Sequence, residues 1–345
     1  MSRLTFAVMG CGRIARRHCD LLTEADYARL VAVCDVVPER AAAFGERYGA
    51  QVFGDAVEMA RAVTPDVVCV LTPSGMHAEH GIALASHVAN LVIEKPIDLS
   101  LAAADRLIAR CDELGRRLFV VKQNRFNLPV TRLRQAIDQA RFGRLVMGTV
   151  RVRWSRDQAY YDADRWRGTW AQDGGVLLNQ AIHHLDLLEW LMGPVDTVRA
   201  HDTTFLVDTE TPDTAVAILR FESGALGVVE ATTATRPRDL EGSLSVLGER
   251  GSVEIGGFAV NRLRHWRFDE HQPGDDRVLA EFSENPPDVY GFGHRRFLRH
   301  VRDCIVDGDA PLIDRSDARR SLELAHAIHE AARSGVEVRA HPGIP

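Results

Sequence analysis

The 345-residue chain (38.3 kDa) is long enough for about two domains, and 46% hydrophobic with 26% charged residues is the mixture of an ordinary globular protein. Its 48 acidic residues outnumber 42 basic ones, and the formal charge of −6 argues against a general nucleic-acid binder. No apolar run approaches the ~20 residues that span a bilayer; residues 1–12 hold too short an apolar stretch for a signal peptide, and six cysteines without a Cys-x-x-Cys pair read as reduced thiols, so a cytoplasmic location is expected.

Residues 3–9 form a short apolar run, followed by Gly10-Cys11-Gly12-Arg13-Ile14-Ala15 and helical spacing to Leu22. A second run, 29–33, ends at Cys34-Asp35, and Pro38 opens a helix, since proline suits a first helical turn. Further apolar runs lie at 66–71, 90–93 and 118–121, separated by helical segments such as 99–114 with Gly115 as its stop. Short strands alternating with helices predict right-handed βαβ units and a doubly wound parallel sheet. After residue 122 the pattern changes. Residues 129–139 read as a helix. Residues 145–154 alternate, with Val146, Gly148, Val150, Val152 and Trp154 on one face. Residues 175–192 read as one long apolar helix. Runs 215–221 and 226–231 flank one hairpin turn, and 244–247 and 252–255 flank another, which predicts a mostly antiparallel sheet. Residues 269–276 read as a mobile loop, and helices over 293–306 and 314–333 close the chain. The expected class is α/β: a Rossmann domain over 1–122 and an α+β domain over 123–345.

Three motifs carry chemistry. Gly10-x-Gly12-x-x-Ala15 follows a strand and opens a helix, with Asp35 twenty residues beyond Ala15. Gly10 permits a tight turn, Gly12 lets backbone approach a pyrophosphate, and the helix N-terminus faces the phosphates. A carboxylate at the second strand end suits ribose hydroxyls and repels a 2′-phosphate, so NAD is favoured over NADP. Glu94-Lys95-Pro96 ends the 90–93 run, where a Lys could bond a substrate hydroxyl and favour a developing alkoxide; on composition alone a surface Lys is the alternative. In residues 173–186, helical spacing would put Asn179 and His183 on one face, with Asp186 three further on. His183 suits proton transfer. A metal held by His183, Asp186 and His77 or His80 is the weaker alternative, since nothing in the spacing converges, and no metal is expected. Thr72-Pro73-Ser74-Gly75-x-His77 is either a turn that touches cofactor or a simple βα loop.

Taken together these blocks resemble the Gfo/Idh/MocA oxidoreductase family over essentially the whole length. Within it the chain is similar to the UDP-N-acetyl-glucosaminuronate 3-dehydrogenases of the WlbA/WbpB type, through Val120-Val121-Lys122-Gln123-Asn124-Arg125, Tyr160-Tyr161-Asp162-Ala163, Trp166-Arg167-Gly168-Thr169-Trp170, Asn179-Gln180-Ala181, Leu240-Glu241-Gly242-Ser243 and Val289-Tyr290-Gly291-Phe292-Gly293-His294. The resemblance implies NAD-dependent oxidation at C3 of UDP-N-acetyl-2-amino-2-deoxyglucuronate, a place in cell-surface polysaccharide biosynthesis, and a homo-oligomer, dimer or tetramer. It implies Lys95 and His183 as catalytic residues. Gly10, Cys11, Gly12, Arg13, Ile14, Asp35, Thr72, Ser74, His77, Glu94, Lys95, Gln123, Trp166 and Arg167 are expected at the cofactor. Lys95, Asn124, Arg125, Asn179, His183 and Tyr290 are expected at the substrate. An anionic substrate needs a locally basic site, for which Arg125, Arg151, Arg153, Arg165 and Arg167 are available. Arg236-Pro237-Arg238 and Arg295-Arg296 are more basic than the subgroup pattern and bear on the nucleotide contacts. The rivals are a cyclitol or free-sugar dehydrogenase, a deoxysugar ketoreductase, and a non-catalytic NAD-binding sensor, against which the presence of both Lys95 and His183 speaks.

Overall fold

The computed structural model describes residues 3–286 and 291–341. The chain divides into two compact units, Met1–Val121 with His294–Arg319, and Lys122–Gly293 with Arg320–Pro345.

In the first unit, six strands form one parallel sheet: β1 (Leu4–Met9), β2 (Ala28–Cys34), β3 (Gln51–Phe53), β4 (Val67–Val70), β5 (Asn90–Ile93) and β6 (Arg117–Val120). Their order, β3-β2-β1-β4-β5-β6, is doubly wound, and it reverses between β1 and β4. Every residue of β4 and β5 is buried, as expected where helices cover both faces of a parallel sheet. The helices are α1 (Arg13–Glu24), α2 (Pro38–Tyr48), α3 (Ala56–Val63), α4 (His77–Ala85) and α5 (Leu101–Glu113). Local chemistry sets their ends. Asp55 accepts from Glu58 N at 2.7 Å to cap α3, and Gly49 ends α2 in the left-handed region at φ 64°. Strand β3 escapes the sequence pattern because it is three mostly exposed residues at the sheet edge.

The second unit carries α6 (Leu128–Asp138), β7 (Leu145–Arg153), α7 (Gln158–Asp162), α8 (Ile182–Met192), β8 (Val195–Thr203), β9 (Thr214–Phe221), β10 (Leu226–Thr232), β11 (Glu241–Gly248), β12 (Gly251–Gly256), β13 (Arg262–Phe268) and α9 (Val278–Glu281). The chain then runs through α10 (Gly293–Val306), α11 (Arg315–Ser334) and β14 (Val338–Arg339). Eight strands pair in the order β13-β12-β11-β7-β10-β9-β8-β14. All pairings are antiparallel except β7 with β10. One face buries Val150, Val152, Ala217, Leu219, Val229 and Val246, and α8 packs on β7. Alternate residues on the other face, Val216, Ile218 and Leu226, are exposed. Among the described residues no helix is long and apolar enough to cross a membrane, and all six cysteines are buried and free.

Three expectations are corrected here. Residues 294–319 belong to the first unit rather than the second: α10 buries Phe297, Leu298, Val301 and Cys304, and Arg117 donates to the Ile305 carbonyl at 3.4 Å. Residues 175–192 are not one α-helix, because Val176–Ala181 winds as a π-helix before α8 begins. The 269–276 loop is tied down: the Arg141 guanidinium grips the Asp275 carboxylate at 2.6 and 3.0 Å, and Trp266 Nε1 donates to it at 2.8 Å.

Candidate active site

The first unit presents a nucleotide cradle at the carboxyl end of β1. Gly10 sits at φ +92°, and a Cβ there would lie 2.7 Å from the Leu71 carbonyl oxygen, so only glycine fits. A Cβ on Gly12 would meet nothing within 4 Å, which leaves room before the α1 N-terminus. No side chain caps that N-terminus and no acidic residue stands in its first turn. Its N–H groups and dipole therefore favour an anion. Cys11 is buried and its thiol is pushed up to about 12, chiefly by burial, so it contributes backbone rather than a reactive sulfur. Arg13 is exposed and Ile14 half-buried. Asp35 accepts from Cys11 N at 2.7 Å through one oxygen and from Val37 N at 2.8 Å through the other. These bonds fix the carboxylate beside the glycine turn and leave lone pairs for two ribose hydroxyls. The residues present fit a dinucleotide.

The turn after β5 holds Lys95, half-buried, with a cis peptide bond to Pro96. Glu94 is buried; its oxygens accept from His18 Nε2 at 2.9 Å and from the Lys95 backbone N–H at 3.0 Å. Burial alone would raise the Glu94 carboxyl, but hydrogen bonds from His18 and His294 outweigh it and hold the group well below the usual range. His77 is 1% exposed, with Nδ1 at 2.7 Å from the Pro96 carbonyl oxygen and Nε2 at 2.8 Å from that of Thr72. The Thr72 hydroxyl bonds His80 at 2.9 Å, and Ser74 is buried at the start of a 3₁₀ turn. Of the residues expected at the cofactor, Glu94 and His77 thus spend their polar atoms inside the first unit.

In the second unit the 3₁₀ turn Gln123–Phe126 and the π-helix bring the remaining groups together. Gly175, at φ +69°, starts the π turn where a Cβ would meet Thr211 at 2.7 Å. The Gln123 amide donates to His183 Nε2 at 2.9 Å, and both side chains are buried. Asn179 donates to the Asp173 carboxylate, and its own oxygen accepts from Gln180 at 3.0 Å. Burial raises the Asp173 pKa against the bonds that this carboxylate accepts. Arg167 donates to the Tyr160 hydroxyl at 2.6 Å, Gln180 reaches the same oxygen at 3.1 Å, and the guanidinium lies 4.5 Å from the Trp166 ring centre. Asn124 is buried.

Arg125 is placed otherwise than expected. It is 2% exposed and grips Asp186 at 2.8 and 2.9 Å, while Lys122 stands 3.3 Å from the same carboxylate. Burial would raise the Asp186 pKa, but the two cations overcome it and lower the pKa. Arg125 thus anchors the Gln123 turn to α8. Arg151 and Arg153 pair with Glu241 and Glu230. Arg236 donates to the Thr233 and Arg156 carbonyls, and Arg295 pairs with Glu24. Tyr290 lies outside the described residues. The ligand atoms of the metal alternative have partners within each unit: Asp186 is held by Arg125, and His77 lies against the Pro96 and Thr72 carbonyls. Among the described residues the group that gathers possible metal-ligand atoms is His18, Glu94 and His294. Sequence reading assigned no role to His18, Asp173, Gln180 or Tyr160; Asp173, Gln180 and Tyr160 stand inside quoted motifs, whereas nothing local marks His18.

Residues 4–122 match the family described as "Oxidoreductase family, NAD-binding Rossmann fold", and residues 134–339 match its "C-terminal alpha/beta domain". The chain belongs to the Gfo/Idh/MocA oxidoreductase family. As a Gfo/Idh/MocA oxidoreductase it is an NAD-dependent dehydrogenase by family. It is 30% identical to the myo-inositol 2-dehydrogenase of Thermotoga maritima, over 95% of this chain and 96% of that one. Among solved structures it is similar to the WlbA dehydrogenase of Bordetella pertussis in complex with NADH and UDP-GlcNAcA, at 42% identity and TM-score 0.94, covering 98% of both chains. The WlbA dehydrogenase of Chromobacterium violaceum, also with NADH and UDP-GlcNAcA, matches at 38% identity and TM-score 0.92, covering 100% of this chain and 98% of the other.

Proposed function

We propose that this oxidoreductase oxidises the C3 hydroxyl of UDP-linked N-acetylglucosaminuronate to the 3-keto sugar. The observation that carries this is the 42% identity, over 98% of both chains, to a dehydrogenase crystallised with NADH and that sugar nucleotide. Bound NAD supplies the acceptor for the hydride that leaves C3. The glycine turn, the α1 N-terminus and Asp35 hold the dinucleotide. His183, whose ring the Gln123 amide orients through Nε2, takes the hydroxyl proton. The Lys95 ammonium favours the negative charge that develops on the same oxygen. Asn179, its amide oriented by Asp173, and Asn124 contact the sugar, and Trp166 and Arg167 contact the cofactor.

The uncovered face of the eight-stranded sheet, with Val216, Ile218 and Leu226 exposed, supports a homo-oligomer, because large apolar patches mark interfaces. A cytoplasmic role in cell-surface polysaccharide assembly is part of the same reading. The second reading, cyclitol oxidation, draws on the myo-inositol 2-dehydrogenase likeness at 30% identity. Absorbance at the reduced-nicotinamide band, followed after adding NAD with UDP-GlcNAcA or with myo-inositol, separates the two. Growth of the band with the sugar nucleotide alone is expected. Growth with myo-inositol alone overturns the proposal.

A further inference from the structure

Lys95 stands between two neighbours whose polar groups are gripped by buried histidines. On one side, a Glu94 oxygen accepts from His18 Nε2 at 2.9 Å, with His294 Nε2 at 3.7 Å from the same oxygen. The other Glu94 oxygen accepts the Lys95 backbone N–H at 3.0 Å. On the other side, the Pro96 carbonyl oxygen is held at 2.7 Å by His77, whose second nitrogen faces the Thr72 carbonyl at 2.8 Å. The three histidines come from α1, α4 and α10 and are 0%, 1% and 1% exposed. The contacts of Glu94 with His18 and His294, and of His77 with Pro96, join residues far apart in sequence.

An ionised carboxylate is costly in a buried place unless it is hydrogen-bonded and charge-compensated. Glu94 meets that condition: it is 5% exposed, and its oxygens face buried histidines and the Lys95 backbone. What the arrangement does is fix the backbone on both sides of one lysine. Such fixing matters where chemistry needs it, because misplacing a reacting group by 1 Å costs on the order of 10²-fold in rate.

We propose that Glu94 and His77 are positioning residues for Lys95, forming the two jaws of a clamp whose first jaw is set by His18 and His294. The proposal rests on the reading of Lys95 as the group that holds the reacting oxygen. It assigns Glu94 and His77 to Lys95 geometry rather than to cofactor contact.

The test compares Glu94→Gln, Glu94→Leu, His18→Gln, His77→Gln and His77→Leu with wild type. Expected for Glu94→Gln is a fall in kcat of about 10- to 100-fold, with the NADH Kd within about threefold. The double variant Glu94→Gln/His18→Gln should be no slower than Glu94→Gln, because His18 acts through that carboxylate. His77→Gln, which can still donate to the Pro96 carbonyl, should keep most of the kcat that His77→Leu loses. The second readout needs no substrate: hydrogen exchange at the Lys95 amide should accelerate in Glu94→Leu, which offers no acceptor, by at least about tenfold, as expected for a lost protecting bond. If wild type turns over no UDP-GlcNAcA, the functional reading fails and the exchange arm still decides the clamp. Unchanged exchange overturns the proposal. So does a loss of NADH affinity equal to the loss of kcat, which would make Glu94 a cofactor ligand. Stoichiometric zinc that disappears in His18→Gln also overturns it, since the cluster would then be a metal centre. Should Glu94→Gln fail to fold, Glu94→Asp keeps the charge but falls short of the histidines, and the same two readouts apply.

Discussion

Replacing Asp186 with Asn removes one negative charge from a place where two cations converge. Arg125 contacts the carboxylate at 2.8 and 2.9 Å and Lys122 at 3.3 Å, and all three side chains are at most 3% exposed. Removing one partner of a buried pair costs about 3–5 kcal/mol, and the lower end applies here because Asn still accepts one hydrogen bond. For a unit of roughly 200 residues, each kcal/mol moves Tm by about 2–4 °C, so a loss of about 6–12 °C is expected near neutral pH. The pH dependence has a definite sign. Burial alone would raise the Asp186 pKa, Arg125 and Lys122 outweigh it, and the folded value lies below the ordinary one. Its stabilisation is therefore complete above the unfolded carboxylate pKa and is lost as pH falls through the folded pKa. Thermal unfolding followed by circular dichroism at neutral and acid pH checks this. The gap between wild type and Asp186→Asn should be full at neutral pH and close in acid. A neutral-pH shift under about 2 °C, or a gap that widens in acid, would refute the assignment of the three groups to one ionic cluster.

Two further outcomes follow from the site. Asp35→Ser should lose most of the preference for NAD over NADP, measured by binding both cofactors, because it removes the carboxylate proposed to meet the ribose hydroxyls; a wild type that prefers NADP would sink the assignment. His183→Asn should lower turnover by about 10²–10⁴-fold, the usual cost of losing a general base. His184→Asn should leave turnover within a small factor of wild type. The His184 ring is fully buried against Trp154, both nitrogens lie buried without a hydrogen-bond partner, and burial lowers its pKa to about 4. If His184→Asn loses activity while His183→Asn keeps it, the catalytic register is wrong.

The parallel sheet was legible because β4 and β5 are continuous apolar runs bounded by turn residues, and the glycine turn with Asp35 announces its own chemistry. Edge strand β3, three residues long, gave no such run. The π turn at Val176–Ala181 was hidden for a different reason: an apolar stretch buried on nearly all sides has no stripe from which its winding can be read. Arg125 illustrates a third limit. Its type and place beside Gln123 pointed to an anion, and it has one, but the anion is Asp186 of the same unit. The partners of Glu94 and His77 were unreadable as well, because His18 is 76 residues from Glu94 and a backbone carbonyl has no signature in sequence.

The return of α10 to the first unit interleaves the two units along the chain: residues 122–293 of the second separate the two segments of the first. A ribosome adds about 5–20 residues per second, so residues 122–293 take on the order of 10–30 s to emerge. Throughout that interval the nascent dinucleotide-binding half lacks the helix that brings Phe297, Leu298 and Val301 to its core and His294 to Glu94. Its completion therefore waits for residues 294–319, and until they emerge the surface that this helix covers stays open. A fragment cut at residue 122 carries the glycine turn and Asp35 but never acquires this helix, so the smallest piece that contains the whole first unit extends to Arg319.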